Sequence, residues 1–287
     1  MKVDFFIVGA PKSGTTSLYN YLNQHYSISM SSIKEPNFFS SSELFDQQLY
    51  YKTKTITDLS KYHALFSGKE QCCMLGEASV SYLFYSDVAN KIYDYNHKAK
   101  IIMILRDPIE RAISHYNMDK RLGYVKTSLE NILDDISSKD NILFYQQYIQ
   151  LGLYYSQVKK YFDVFGKENV CVMLYDDMKH DNNIFTNKVI SFLGLEEDLN
   201  IDFETPYNSY KKSSFRFINF LYSISFIRKT IIKLLPYSLL QKINNSFFTK
   251  KETKISKELE MRLYDLFIND ILLLEQMLGI ELKLWKR

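Results

Sequence analysis

The chain has 287 residues, 46% of them hydrophobic and 24% charged, which fits one large α/β domain or two small ones and excludes a disordered tail, a collagen or a disulfide scaffold. Lys and Arg outnumber Asp and Glu by 36 to 33, a net charge of +3 that argues against a dedicated nucleic-acid binder. The sum conceals a segment, 205–251, with nine basic and no acidic residues, against 27 basic and 33 acidic in the remainder. Three cysteines, Cys72, Cys73 and Cys171, form neither a disulfide framework nor a zinc spacing and read as small buried apolar groups in a reducing, cytoplasmic setting. The N-terminus has no signal-peptide pattern, and the longest uncharged candidate for a span, 217–227, has 11 residues where a membrane helix needs about 20.

The first predicted strand is Val3–Val8, followed at once by Gly9-Ala10-Pro11-Lys12-Ser13-Gly14-Thr15-Thr16 and a helical pattern. A glycine-bounded loop that opens a helix offers backbone N–H groups and the positive dipole end to an anion. An ordinary strand–helix turn is the plain alternative, but Lys12, Ser13, Thr15 and Thr16 crowd this turn with anion-binding groups. Gly9 to Gly14 match the first six positions of a nucleotide-triphosphate loop, and the next residue is Thr15 instead of the required lysine, which weakens an ATPase or kinase reading.

A weaker strand covers Cys72–Gly76, and a nearly all-apolar one covers Lys100–Leu105, as expected of a strand buried on both faces. After it, Asp107 and Pro108 read as N-cap and first residue of a helix to about Arg121. Arg106 then stands at a strand's C-terminal end, the ligand edge of an open α/β sheet, with a planar fork suited to phosphate. Pairing with Asp107 or Glu110 is the competing reading for Arg106, and plain solvent exposure for Ser114. The last strand is Asn169–Tyr175, and Leu259, Leu263, Leu266, Phe267, Ile271, Leu274 and Leu278 keep helical spacing up to a C-cap at Gly279. Strands alternating with helices imply an α/β fold in a single P-loop-like domain over 1–287, with a central parallel sheet flanked by helices and a helical C-terminal part.

Pro-Lys-Ser-Gly-Thr-Thr after a strand resembles the 5′-phosphosulfate loop of sulfotransferases that use 3′-phosphoadenosine 5′-phosphosulfate (PAPS). The resemblance implies that Lys12 contacts the oxygen bridging phosphate and sulfate, while Ser13, Gly14, Thr15 and Thr16 cradle the 5′-phosphate. It also implies that Arg106 and Ser114, eight residues apart, hold the 3′-phosphate. Gly76–Leu83, Gly152-Leu153-Tyr154-Tyr155 and the C-terminal Leu-Gly-Ile-Glu-Leu-Lys-Leu-Trp ending at Trp285 are similar to carbohydrate-type and bacterial members. Lys34-Glu35-Pro36-Asn37-Phe38-Phe39 resembles the element of heparan-type enzymes whose glutamate is the base, implying Glu35 as general base, with Glu77 as second choice. Of five histidines, His63, His97 and His180 read as surface residues, His115 as orienting its helix, and His25 ends the first helix; none stands in a catalytic motif.

The expected reaction is sulfuryl transfer to a hydroxyl of a saccharide or glycolipid, with Lys12 as the stabilising cation and no metal. A nucleotide or small-molecule kinase and a non-catalytic nucleotide-binding protein are the alternatives. The basic segment 205–251 reads as helical and aromatic-rich, with three roles open: a solvated face, a groove for an anion, or, over 211–251, a peripheral contact with the inner face of an anionic membrane.

Overall fold

A computed structural model describes residues 2–67, 74–204 and 255–286, together with two short strands at 212–213 and 248–249. Four strands arise at short, mainly apolar runs, β1 (Phe5–Gly9), β3 (Met74–Ala78), β4 (Lys100–Leu105) and β5 (Val170–Leu174), with β1 fully and β4 almost fully buried and β5 partly exposed at the sheet edge. A fifth, β2 (Ile28–Met30), is too short for its periodicity to be read from sequence. All five pair in parallel in the order β2-β3-β1-β4-β5. Asn169 and Tyr175 fall outside β5, because Tyr175 already begins a helix.

Side-chain alternation along the strands sorts the core into two layers. Phe6, Val8, Ile101, Met103 and Leu105 point to one face. There they meet α4 (Val88–Tyr95), α5 (Pro108–Leu122), α8 (Tyr154–Phe165) and the C-terminal helix α11 (Lys257–Leu278). Phe5, Ile7, Ile102 and Ile104 point to the other, against α1 (Thr15–Leu22), α9 (Tyr175–His180) and α10 (Asn182–Leu193). On α11, Leu259, Leu263, Phe267, Ile271 and Leu274 are buried as the spacing predicts, while Leu266 faces outward. Of the remaining helices, α2 (Ser41–Gln47) and α3 (Leu59–His63) connect β2 to β3 in the chain, and α6 (Leu129–Asp134) and α7 (Lys139–Tyr148) lie between α5 and α8.

β1 lies between β3 and β4, so the chain leaves it toward one side of the sheet and later returns on the other. That reversal opens a crevice at the C-terminal ends of β1 and β4, the usual ligand position in such sheets. Helix α5 starts there as predicted: the Asp107 carboxylate accepts from the N–H groups of Ile109 (2.8 Å) and Glu110 (3.3 Å), and Gly123 (φ 76°) ends it. Gly152 packs under this start; a Cβ there would lie 3.0 Å from the Phe267 ring and 3.1 Å from Pro108. The next residues open α8, whose first N–H groups, on Tyr154 and Tyr155, donate to the Asp270 carboxylate of α11 at 2.6 and 3.1 Å. Burial raises that carboxyl to about 6.

The segment 205–251, read as helical, lies outside the described residues except at Lys212–Ser213, which pairs antiparallel with Phe248–Thr249. Its two described fragments are therefore extended. Cys72 and Cys73 also lie outside the described residues, and Cys171 is half-buried in β5. No helix among the described residues is long and apolar enough to cross a membrane.

The end of β3 carries a polar knot. Glu77 is fully buried, and its carboxylate accepts from Ser79 Oγ (2.5 Å), Tyr62 Oη (2.7 Å) and Tyr82 Oη (3.1 Å). These hydroxyls tie α3 and the loop after β3 to the sheet. Burial raises Glu77 to about 7 despite the three hydrogen bonds that oppose the shift. A folded-state pKa above the unfolded value means that the folded chain holds a proton the unfolded chain has released, so stability falls as pH rises from about 4.5 to about 7. Glu77→Gln removes that loss. Urea unfolding at pH 4 and pH 8 is expected to move the variant-minus-wild-type difference in the variant's favour by about 3 kcal/mol; a pH-independent difference would refute it.

Candidate active site

The loop after β1 is shaped by two left-handed residues, Lys12 (φ 69°) and Gly14 (φ 88°), before α1 begins at Thr15. Gly14 is required twice over, since a Cβ would lie 2.6 Å from Met178 Sδ as well as straining the backbone. The N–H groups of the first helical turn have no acceptor within the helix and aim at the crevice mouth. Ser13 is fully buried there, and its hydroxyl has no hydrogen-bond partner. An orphaned hydroxyl beside free N–H groups is a donor set for an anion, so the residues present fit a phosphate.

Lys12 turns across to α5, where its Nζ lies 3.4 Å from Met118 Sδ. Burial, with repulsion from Arg121 and Arg106, lowers its pKa to about 8, and Asp119 opposes the shift. Arg106, at the end of β4, donates from Nη1 to the Lys12 carbonyl at 3.1 Å, joining the two predicted anion segments directly. Its Nη2 and Nε hold Glu110 at 3.0 and 3.3 Å, and its guanidinium lies 4.8 Å from the Tyr175 ring centroid. The Glu110 pairing weighed from the sequence is thus present, on a carboxylate 41% exposed. Tyr154 fixes the Arg106 backbone by donating from Oη to its carbonyl at 3.0 Å. Ser114 is half-buried, and its spacing from Glu110 and Met118 puts it on the face of α5 that meets Lys12.

Glu35 is positioned by a different strand. Its N–H donates to Ala78 O at the end of β3 (2.8 Å), and it adopts φ 60°. Its carboxylate is 42% exposed and pairs with Lys34 Nζ at 2.5 Å. Glu77, the second choice as base, is enclosed by its three hydroxyl donors and turned into the core. His25 is structural: with Nε2 donating to Glu196 O (2.9 Å), its Nδ1 accepts from Ser27 N (3.1 Å). His115 is buried on Gln147 O (3.1 Å); burial and then Arg111 hold it well below the ordinary imidazole value, so it is neutral. His97 and His180 are exposed, and His63 is half-buried against Tyr95 Oη.

Several groups around Lys12 were missed from sequence. Arg111 is buried, donates to the carbonyls of Gln147 and Tyr148, and burial lowers it to about 10. Asp119 is buried and accepts from Tyr50 Oη and from Tyr148 Oη, the latter at 2.9 Å. Their signal was the spacing Arg111, His115, Asp119, a polar stripe along the buried face of α5.

Comparison with known proteins gives the family and the fold. The family described as "Sulfotransferase domain" matches residues 2–233. The membrane-associated sulfotransferase kil1 of Dictyostelium discoideum is 32% identical over 114 residues, 40% of this chain and 22% of that protein. Carbohydrate sulfotransferase 15 of Homo sapiens is 26% identical over 243 residues, 67% of this chain and 43% of that protein. The chain thus spans less than half the length of either relative. A crystal structure of a sulfotransferase from Alicyclobacillus acidocaldarius superposes with a TM-score of 0.72 at 28% identity, covering 100% of both chains. A mouse sulfotransferase complexed with PAP shares the fold, at a TM-score of 0.53 and 15% identity over 97% of this chain and 90% of that one. With the family match running through the β1 loop, β4 and most of the remaining chain, this protein belongs to the sulfotransferase family.

Proposed function

We propose that this chain transfers a sulfuryl group from PAPS to a hydroxyl of a saccharide or glycolipid. The observation that carries the reading is the Arg106–Lys12 bridge: two cationic segments at adjacent strand ends, with a buried, unpartnered Ser13 hydroxyl between a left-handed loop and a helix start. A nucleotide with phosphates at both its 5′ and 3′ ends suits such a pair of sites. The mouse relative's complex with PAP supports the same nucleotide here, and the name of the human relative supports a carbohydrate acceptor. A kinase is disfavoured because Thr15 stands where the phosphate-reaching lysine of a triphosphate loop belongs.

In the proposed step the acceptor oxygen forms a bond to sulfur as the bond from sulfur to the bridging phosphate oxygen breaks. The acceptor proton passes to the Glu35 carboxylate, and the electron pair of the broken bond stays on the 5′-phosphate of the leaving PAP. Ser13, Gly14, Thr15 and Thr16 hold that phosphate. Lys12, kept cationic below about pH 8, stabilises the charge that develops on it. Arg106 and Ser114 hold the 3′-phosphate. Loss of the Lys34 pairing on substrate entry would leave Glu35 as a free base.

Thermal-shift titration of PAP against ADP and ATP tests the nucleotide assignment. PAP is expected to stabilise the protein selectively, and Arg106→Ala to abolish the selectivity; equal response to all three nucleotides would overturn it. Because Lys12 binds an anion as the cation, PAP affinity is expected to fall above pH 8, by up to tenfold per pH unit, and Lys12→Met to flatten that profile. Glu35→Gln is expected to lower turnover about a hundredfold or more with PAP binding intact; near-normal turnover would remove Glu35 from the role.

A further inference from the structure

Beside the loop of Glu35 the fold assembles an aromatic wall of three tyrosines, one packed on the core and two at its outer side. Tyr50 and Tyr51 follow α2, and Tyr124 follows α5. Their rings lie 5.0 Å apart for Tyr50 and Tyr51, and 6.1 Å apart for each with Tyr124. Tyr50 is anchored from behind, with Oη on the buried Asp119 and its ring 4.6 Å from Phe144. Tyr51 is half-buried, with Oη 3.4 Å from Gln147 Oε1. Tyr124 is 37% exposed, and its N–H donates to Asp119 O at 2.9 Å. The wall therefore has a fixed back and an open edge.

Its placement relative to the chemistry is set by main-chain bonds. Asn37 Nδ2 donates both to Glu35 O (2.9 Å) and to Lys54 O (3.1 Å), and Ile56 N donates to Pro36 O (2.9 Å). The loop bearing Tyr50 and Tyr51 is thus clamped onto the loop bearing Glu35. Burial raises the Tyr51 phenol, and the nearby carboxylates of Asp119 and Glu35 add to the shift. On the other side, Asp119 and Met118 place α5, which Tyr124 follows, against Lys12.

Two stretches beside the wall carry one sign. Stretches 48–57 and 120–127, which meet through these tyrosines, contain Lys52, Lys54, Lys120, Arg121 and Lys126 and no acidic residue. Lys52, Lys54, Lys120 and Lys126 are exposed. Tyrosine rings with a polar edge suit the apolar face of a pyranose, and a one-signed rim concentrates ligands of the opposite charge.

We propose that Tyr51 and Tyr124 form the acceptor platform, stacking a sugar ring that bears an anionic substituent and presenting its hydroxyl to Glu35. This rests on the sulfotransferase reading above and adds the acceptor's ring contact and its charge. Tyr51 and Tyr124 are positioning residues, whereas the lysine rim selects among acceptors.

The test uses the full chain, PAPS carrying labelled sulfate, and two probes: chondroitin, whose uronates are anionic, and carboxyl-reduced chondroitin, its neutral counterpart. PAP binding is measured alongside by thermal shift. Expected are transfer to chondroitin with a KM at least tenfold below that of the reduced polymer, and narrowing of that gap in Lys52→Ala/Lys126→Ala. Tyr124→Ala is expected to raise the chondroitin KM about tenfold with the PAP shift unchanged, and Tyr124→Phe to restore it. Equal KM for both polymers, or an unchanged KM in Tyr124→Ala, would overturn the platform. Intact PAP binding with no transfer to either polymer would overturn the acceptor class and leave the nucleotide assignment standing. Absence of PAP binding would overturn both.

Discussion

Parallel pairing of β1 with β4 sets the distance between the two segments proposed to bind the nucleotide's phosphates. Both strands are buried on both faces, so neither can shift by a residue without moving a whole row of apolar side chains to the wrong layer. With Phe5 opposite Lys100 and Ile7 opposite Ile102, the loop after Gly9 and the arginine after Leu105 emerge at one edge. Ala10 N donates to Ile104 O at 2.8 Å, extending the pairing into the loop itself. The Arg106–Lys12 bridge then follows from strand register more than from any specific attraction between side chains. Gly152, Asp270 and Tyr154 brace the same edge from below, coupling the starts of α5 and α8 to α11.

The parts of this arrangement that sequence made legible are the local ones. The strands read at Val3–Val8 and Lys100–Leu105 announce themselves because a strand with almost no polar position is central, although β1 itself runs two residues later at its start and one later at its end, Phe5–Gly9. The Asp107-Pro108 start of α5 is equally local. Ile28–Met30 was missed because three residues carry no measurable period. Glu77 illustrates a different limit: its sequence neighbours do not reveal that Tyr62 and Tyr82, on separate segments, close around it. The tyrosine wall is likewise tertiary, joining residues over 70 positions apart, and its exposure could not be told from packing by composition. Leu266 keeps the helical spacing yet faces outward, since the apolar stripe of α11 is wider than the surface it covers.

Charge around the crevice is arranged in opposition. Lys12 feels repulsion from Arg106, Arg111 and Arg121 and attraction from Asp119, a carboxylate also engaged by two tyrosines, while Arg106 is itself paired with Glu110. Burying like charges together is unfavourable in the free protein, and a polyanion that neutralises them gains the relief of that repulsion as binding energy. The cost is borne by a scaffold whose apolar layers close above and below the sheet.

The Arg106–Glu110 pair has a consequence for discrimination among nucleotides. In the free protein the guanidinium is already satisfied, by a carboxylate one helical turn away. Under the proposed assignment, a 3′-phosphate must take Arg106 from Glu110, and a dianion competes for a planar fork better than a neutral hydroxyl can. A nucleotide with a bare 3′-hydroxyl would leave that internal pair in place and gain nothing from it. Glu110 thus acts as a threshold: the protein's own side chain is the competitor that every ligand at this position has to outbid.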